Sequence, residues 1–194
     1  VGEVLKGMFE TGVARREELI VVSKGGYIQG PLFVETERRA NTPHADYSVG
    51  SELSELVRHS QGLWHSIHPE FLEDQITESL ERLQLETIDV YLLHNPEYYV
   101  QWAIQEGHPV DEVREEYNRR IKKAFSYLET EVQKGRIQFY GISSNTFPKP
   151  EETIDRTSLE RCWKSATEIQ HELKLTHHHF AVVQFPLNIF EPFG

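Results

Sequence analysis

Short apolar runs separated by single amphipathic helices constrain this chain more than any other feature of it. The runs are ELIVVSK at 18–24, IDVYLLH at 88–94, RIQFYGIS at 136–143 and HFAVVQF at 179–185. Between them, HPEFLEDQITESLERL places Leu72, Ile76, Leu80 and Leu83 on one helical face, with Pro69 suited to a first turn. EEYNRRIKKAFSYLETEVQKG stripes Ile121, Phe125, Leu128 and Val132 and stops at Gly135. TSLERCWKSATEIQHELKL has the capping-box spacing Thr157 to Glu160 and the stripe Leu159, Trp163, Ala166, Ile169 and Leu173. The opening GEVLKGMFE reads as one more helix, ending near Gly12. Strands that lack an exposed polar face and alternate with helices pair in parallel, because right-handed crossovers cover the sheet. The predicted class is α/β.

Within that class the pattern favours a (β/α)8 TIM-type barrel, incomplete in this chain, over an open doubly wound sheet. No strand-to-helix turn carries GxGxxG or GxxxxGK[ST], and the glycine-rich SKGGYIQG leads into no helix in the sequence pattern. The strands instead share polar residues at their carboxyl ends: Lys24, His94 with Asn95, Ser143 to Asn145, and Gln184. In a barrel those ends converge on one mouth, where the chemistry sits. Any one of them alone reads as a solvated loop residue; together they bring a cation, an imidazole, hydroxyls and amides to one face.

Charge excludes some partners. With 20 basic and 31 acidic side chains the formal charge is −11, which repels nucleic acid and anionic membrane surfaces. The absence of an 18-residue apolar run and of a signal-peptide pattern in VGEVLKGMFETG leads to the expectation of a soluble, cytoplasmic protein without membrane partners. Cys162, the only cysteine, falls on a patterned helical face and reads as a buried, inert thiol.

SLERLQLETIDVYLLHNPE, KGRIQFYGISSN and VVQFPLNIFEP resemble the aldo-keto reductases, and VVSK resembles the lysine strand of that family. The resemblance runs in order along the whole chain and treats residues 1–194 as one barrel domain, present in part. It implies reduction of aldehydes or ketones with NADPH, NADH being possible, and a small-molecule carbonyl substrate. Lys24 and His94 match the lysine and histidine that assist a tyrosine acid. Ser143, Ser144, Asn145 and Gln184 match positions that hold the nicotinamide carboxamide. GISSN has one serine more than the usual GxSN, so either Ser143 with Ser144 or Ser144 with Asn145 is the working pair. Chemistry agrees with those roles. Hydride addition to a carbonyl leaves an alkoxide, which needs a proton donor and a stabiliser. An ammonium such as Lys24 lowers the pKa of a neighbouring phenol, and an imidazole such as His94 orients and polarises the carbonyl.

The family's aspartate and tyrosine are expected upstream of Val1, and its last strands and 2′-phosphate contacts beyond the other end. Residues 1–194 alone are therefore expected to lack turnover and to associate through open sheet edges, with homo-oligomers a possibility. Asp46 and Tyr47 in ADYSVGSEL imitate the aspartate–tyrosine motif but follow the lysine strand, so they read as a decoy. Segments 25–66 and 95–116 follow strands and exceed the usual turn of about two to six residues, so they are expected at the mouth as lids, subunit contacts or disorder. The first carries His44, His59 and His65. The second carries Tyr98, Tyr99 and Trp102, read either as a substrate wall or as packing. HHH at 177–179 lies in a helix-to-strand turn away from the mouth and lacks HExxH spacing, so no metal is expected. Two rival readings stand beside the reductase: a binding or regulatory subunit with the same barrel, and a lyase or aldolase barrel using Lys24 as a Schiff base.

Overall fold

The computed structural model describes residues 1–40 and 55–188, so the ADYSVGSEL motif with His44, Asp46 and Tyr47, and the end of VVQFPLNIFEP, lie outside it. In chain order the elements are α1 (Gly2–Glu10), a 3-10 turn at Arg16–Glu18, β1 (Val22–Gly25), β2 (Tyr27–Gln29), α2 (Gly30–Ala40), β3 (Val57–Ser60) and β4 (Leu63–His65). There follow α3 (Pro69–Leu83), β5 (Ile88–His94), α4 (Tyr98–Gln105), α5 (Val110–Gln133), β6 (Ile137–Ser143), α6 (Leu159–Glu172) and β7 (Phe180–Gln184).

The apolar runs become one parallel sheet in the order β1-β5-β6-β7, and the alternating helices lie on one of its faces. Ser23 bonds Ser79 of α3 at 3.1 Å, which fixes that face as the helical side of β1. Tyr91, Leu93, Tyr140 and Ile142 are buried with Leu72, Ile76, Ala124, Phe125, Leu128, Ala166 and Ile169. By the period of two along a strand, Val22 and Lys24 point the other way. Val22 and Phe139, both in register with the buried Val90, are 50% and 42% exposed, so the face turned away from the helices is partly open. The chain is α/β, an incomplete barrel with β1 and β7 as the edges of the parallel sheet.

Two helix boundaries depend on particular residues. Pro69 opens α3 at its first turn. After α5, Gly135 adopts φ +74°, and the N–H groups of Gly135 and Arg136 close onto the carbonyls of Val132 and Glu131. Two expectations about α6 are corrected. The N-cap of α6 is Ser158, whose Oγ accepts from the Arg161 N–H at 3.3 Å; Thr157 is fully buried and serves the interior. The buried stripe of α6 is Cys162, Ala166 and Ile169, whereas Leu159, Trp163 and Leu173 are exposed. Burial also pushes the Cys162 thiol up to about 12.

The long segments carry secondary structure of their own. Residues 25–66 contain β2, α2, β3 and β4, and the three strands form an antiparallel sheet in the order β2-β4-β3. Ile28, Trp64 and Phe71 make a second small core beneath it, with Leu32 and Phe33 packed alongside. Residues 95–116 form α4 and the first turns of α5, with Tyr99, Val100, Ala103 and Val113 buried. Among the described residues no helix is long and apolar enough to cross a membrane.

Candidate active site

Parallel register brings the polar strand ends together. His94 stands opposite Ser143, and Ser143 opposite Gln184, while Lys24 lies opposite Leu92, two residues before His94. Side chains two residues apart share a face, so Lys24, His94, Ser143 and Gln184 emerge on the open side of the sheet. They border a cleft of about 450 Å³ together with Tyr27, Asn95, Tyr98, Asn145, Phe185 and Pro186.

Lys24 donates from Nζ to Ser143 Oγ at 3.1 Å and to Gln184 Oε1, and Ser143 Oγ donates to the same Gln184 oxygen at 2.9 Å. This triangle links β1, β6 and β7 across the mouth. His94 is half-buried. Its imidazole is held below the ordinary histidine range, first by burial and then by the nearby Lys24 charge, so it is a neutral hydrogen-bond donor at neutral pH. Two contacts fix the backbone around it: the His65 Nε2–H donates to the His94 carbonyl at 2.7 Å, and the Asn95 N–H donates to the Ser143 carbonyl at 2.7 Å. Gly26 makes the first possible. Its φ is +143°, and a Cβ there would lie 2.7 Å from His65 Nε2 and 2.9 Å from the His94 oxygen. His65 itself is fully buried, and burial holds its imidazole down at about 4.

The three residues of GISSN part company. Ser143 and the exposed Asn145 line the cleft. Ser144 turns inward, its hydroxyl sharing hydrogen bonds with Thr146 (3.0 Å) and Thr157 (2.9 Å), and Thr157 bonds the Tyr117 hydroxyl at 2.8 Å. Of the three, Ser143 and Asn145 border the cleft and Ser144 does not. Below them the Asn145 N–H donates to Glu97 Oε1 at 3.0 Å, while Glu97 Oε2 is buried without a partner. Burial raises the Glu97 carboxyl to about 7.

The aromatic residues also separate. Tyr98 lines the cleft; Tyr99 is buried with the Arg120 guanidinium 3.9 Å from its ring centre, and Trp102 packs against the main core. His59 stacks on Tyr98 with centroids 3.9 Å apart. Sequence reasoning missed Tyr27, three residues after Lys24 and past a glycine pair; a tyrosine so close behind a mouth-facing lysine was the available signal. Its ring stacks on His94 at 4.2 Å, but its hydroxyl is raised above the ordinary tyrosine range by burial and the Tyr98 hydroxyl, the wrong direction for a proton donor. Among the described residues no three His, Cys, Asp or Glu side chains form a metal-binding group, and His179 of the HHH turn pairs with Glu129 at 2.7 Å.

No curated protein matches the chain significantly. Among solved structures it is similar to the aldo-keto reductase AKR11C1 from Bacillus halodurans in its holo form, with 22% identity and a TM-score of 0.42 over 96% of this chain and 38% of that one. It is also similar to the glycerol dehydrogenase AKR11B4 from Gluconobacter oxydans, with 23% identity and a TM-score of 0.39 over 66% and 27% of the two chains. For the aldose reductase from Schistosoma japonicum the values are 14% and 0.45 over 96% and 44%. The chain thus spans less than half the length of each of these three structures. The sequence profile of the aldo/keto reductase family matches residues 1–173, through β1, β5, β6 and the whole of α6, and the chain belongs to that family.

Proposed function

We propose that this chain carries part of the active site of an NADPH-dependent oxidoreductase that interconverts aldehydes or ketones with alcohols. The observation that carries the reading is the convergence of Lys24, His94, Ser143 and Gln184, from four neighbouring strands, on one cleft. Three of the groups suit a nicotinamide carboxamide. Ser143, Asn145 and Gln184 offer hydroxyl and amide donors and acceptors, and because Gln184 Oε1 already accepts from Lys24 and Ser143, its amide N–H groups are left for a carbonyl oxygen. Bound there, NADPH supplies the hydride.

The protein's own part is orientation and charge. His94 donates an imidazole N–H to the substrate oxygen, polarising the carbonyl and strengthening as negative charge develops. Its neutrality favours this role, since it gives up no proton of its own. Lys24 keeps a positive charge at the mouth, favouring the phenolate of a tyrosine placed beside it and so lowering that tyrosine's pKa. The exposed Lys24 already donates to two oxygens, an arrangement that suits a tuning cation better than a Schiff-base nucleophile, which requires a free, desolvated amine.

Initial rates of the full-length protein with NADPH or NADH and a short aldehyde test the reading. Turnover is expected with NADPH, with Gln184→Ala weakening cofactor binding. Tight NADPH binding with no oxidation of it by any carbonyl would replace the reductase with a binding subunit.

A further inference from the structure

The His94 ring is set by stacking. Among the described residues the side-chain hydrogen bond that reaches His94 comes from His65 and ends on the backbone carbonyl, not on the imidazole. The Tyr27 ring lies nearly parallel to it, with centroids 4.2 Å apart and planes at 19°. Behind Tyr27 stands Tyr98 at 5.6 Å and 11°, and behind Tyr98 stands His59 at 3.9 Å and 18°. Four rings from β5, β2, α4 and β3 thus form one ladder, and His65 meets Tyr27 edge-on at 6.1 Å. The Tyr27 hydroxyl adds two hydrogen bonds at the edge of the ladder. It accepts from Asn95 Nδ2 at 2.6 Å and donates to the Tyr98 hydroxyl at 3.2 Å. Asn95 is the residue after His94 and has φ +48°, a conformation that needs such support. Tyr27 therefore grips His94 through its ring and through the residue that follows it.

We propose that Tyr27 is a positioning residue, whose stacked ring holds the His94 imidazole in the single orientation it presents to the cleft. The role of that orientation in carbonyl reduction rests on the function proposed above; the positioning itself does not. The ring matters more than the hydroxyl. An imidazole on a free χ2 torsion would sample two broad wells, and misplacement of about 1 Å at a reacting centre is enough to cost on the order of a hundredfold in rate. The other charged or titratable groups near His94 are Lys24, whose charge opposes imidazole protonation, and the buried His65.

Side-chain NMR of histidine-labelled protein tests this directly, with Tyr27→Phe and Tyr27→Leu beside the wild type. In the wild type the His94 ring protons are expected upfield, under the Tyr27 ring current, with cross-relaxation between the two rings. Tyr27→Phe keeps both signals, the acid-shifted His94 titration and most of the turnover. Tyr27→Leu loses the upfield shift, moves the His94 titration up toward its ordinary value, and lowers kcat about tenfold or more, leaving NADPH affinity unchanged. Wild-type His94 protons without a ring-current shift would overturn the proposal, even if Tyr27→Leu does not fold. So would a folded Tyr27→Leu protein with His94 titration unaltered. If the spectra behave as expected but no protein oxidises NADPH, the positioning stands and the reductase reading fails.

Discussion

Replacing Glu97 by glutamine removes a charge from the protein interior and keeps its shape. Glu97 is 1% exposed, accepts one hydrogen bond from the Asn145 N–H, and has a second oxygen with no partner. Burial lifts its carboxyl from an ordinary 4.5 to about 7, so the folded protein binds a proton that the unfolded chain releases between those values. Stability from this group is complete below pH 4.5 and is lost as pH rises through 7. At about 1.4 kcal/mol per pH unit, the loss reaches roughly 3 kcal/mol. His65 acts in the opposite sense: its imidazole, held at about 4, removes stability as pH falls below the ordinary histidine value. His65 is present in both proteins and cancels from their difference. Urea unfolding of wild type and Glu97→Gln at pH 4.5, 5.5, 6.5 and 8 should therefore show near-equal stability at the acid end and a glutamine advantage of about 3 kcal/mol at pH 8. A difference that does not change with pH would show that Glu97 ionises normally, and would refute the argument from its burial.

Two further substitutions probe the frame around the site. Gly26→Ala should destabilise by about 2 kcal/mol or more in urea unfolding, since φ is +143° and the new Cβ meets both His65 and the His94 carbonyl. It should also lower turnover without changing the circular dichroism of the fold. Thr157→Val leaves the hydroxyls of Tyr117, Ser144 and Thr146 short of a partner in a buried cluster. A loss of about 1–3 kcal/mol in thermal or urea unfolding is expected, with the NADPH affinity kept because Ser144 faces away from the cleft.

Strand and helix alternation was legible because burial leaves a plain mark: IDVYLLH and RIQFYGIS have few polar residues to misplace, and the stripe Leu72, Ile76 admits one helical face. From that alternation the mouth-facing set Lys24, His94, Ser143 and Gln184 followed, since parallel strands deliver their carboxyl ends to one side. Other parts left no such mark. β2, β3 and β4 are only three or four residues long and include Gln29, Arg58, His59 and Ser60, so their pairing comes from the core under Trp64 rather than from strand periodicity. Ser144 and Thr157 are polar residues in the interior, satisfied by one another, and pattern alone sends such residues to a cofactor or a helix cap. On α6 the exposed Leu159 and Trp163 imitate a core stripe, because two of the three buried residues, Cys162 and Ala166, are small and leave only Ile169 as a strong apolar signal on the inner face.

The proposed function requires His94 to face a carbonyl while Ser143, Asn145 and Gln184 face the cofactor. Single-turnover transfer from deuterated NADPH to a short aldehyde separates the two roles, measured in the full-length wild type and His94→Ala beside an NADPH titration of each. Loss of the donor to the developing alkoxide should slow deuteride transfer by about a hundredfold or more, with NADPH affinity within about twofold of wild type. Transfer at the wild-type rate with weakened NADPH binding would contradict the account and move His94 to the cofactor side of the cleft.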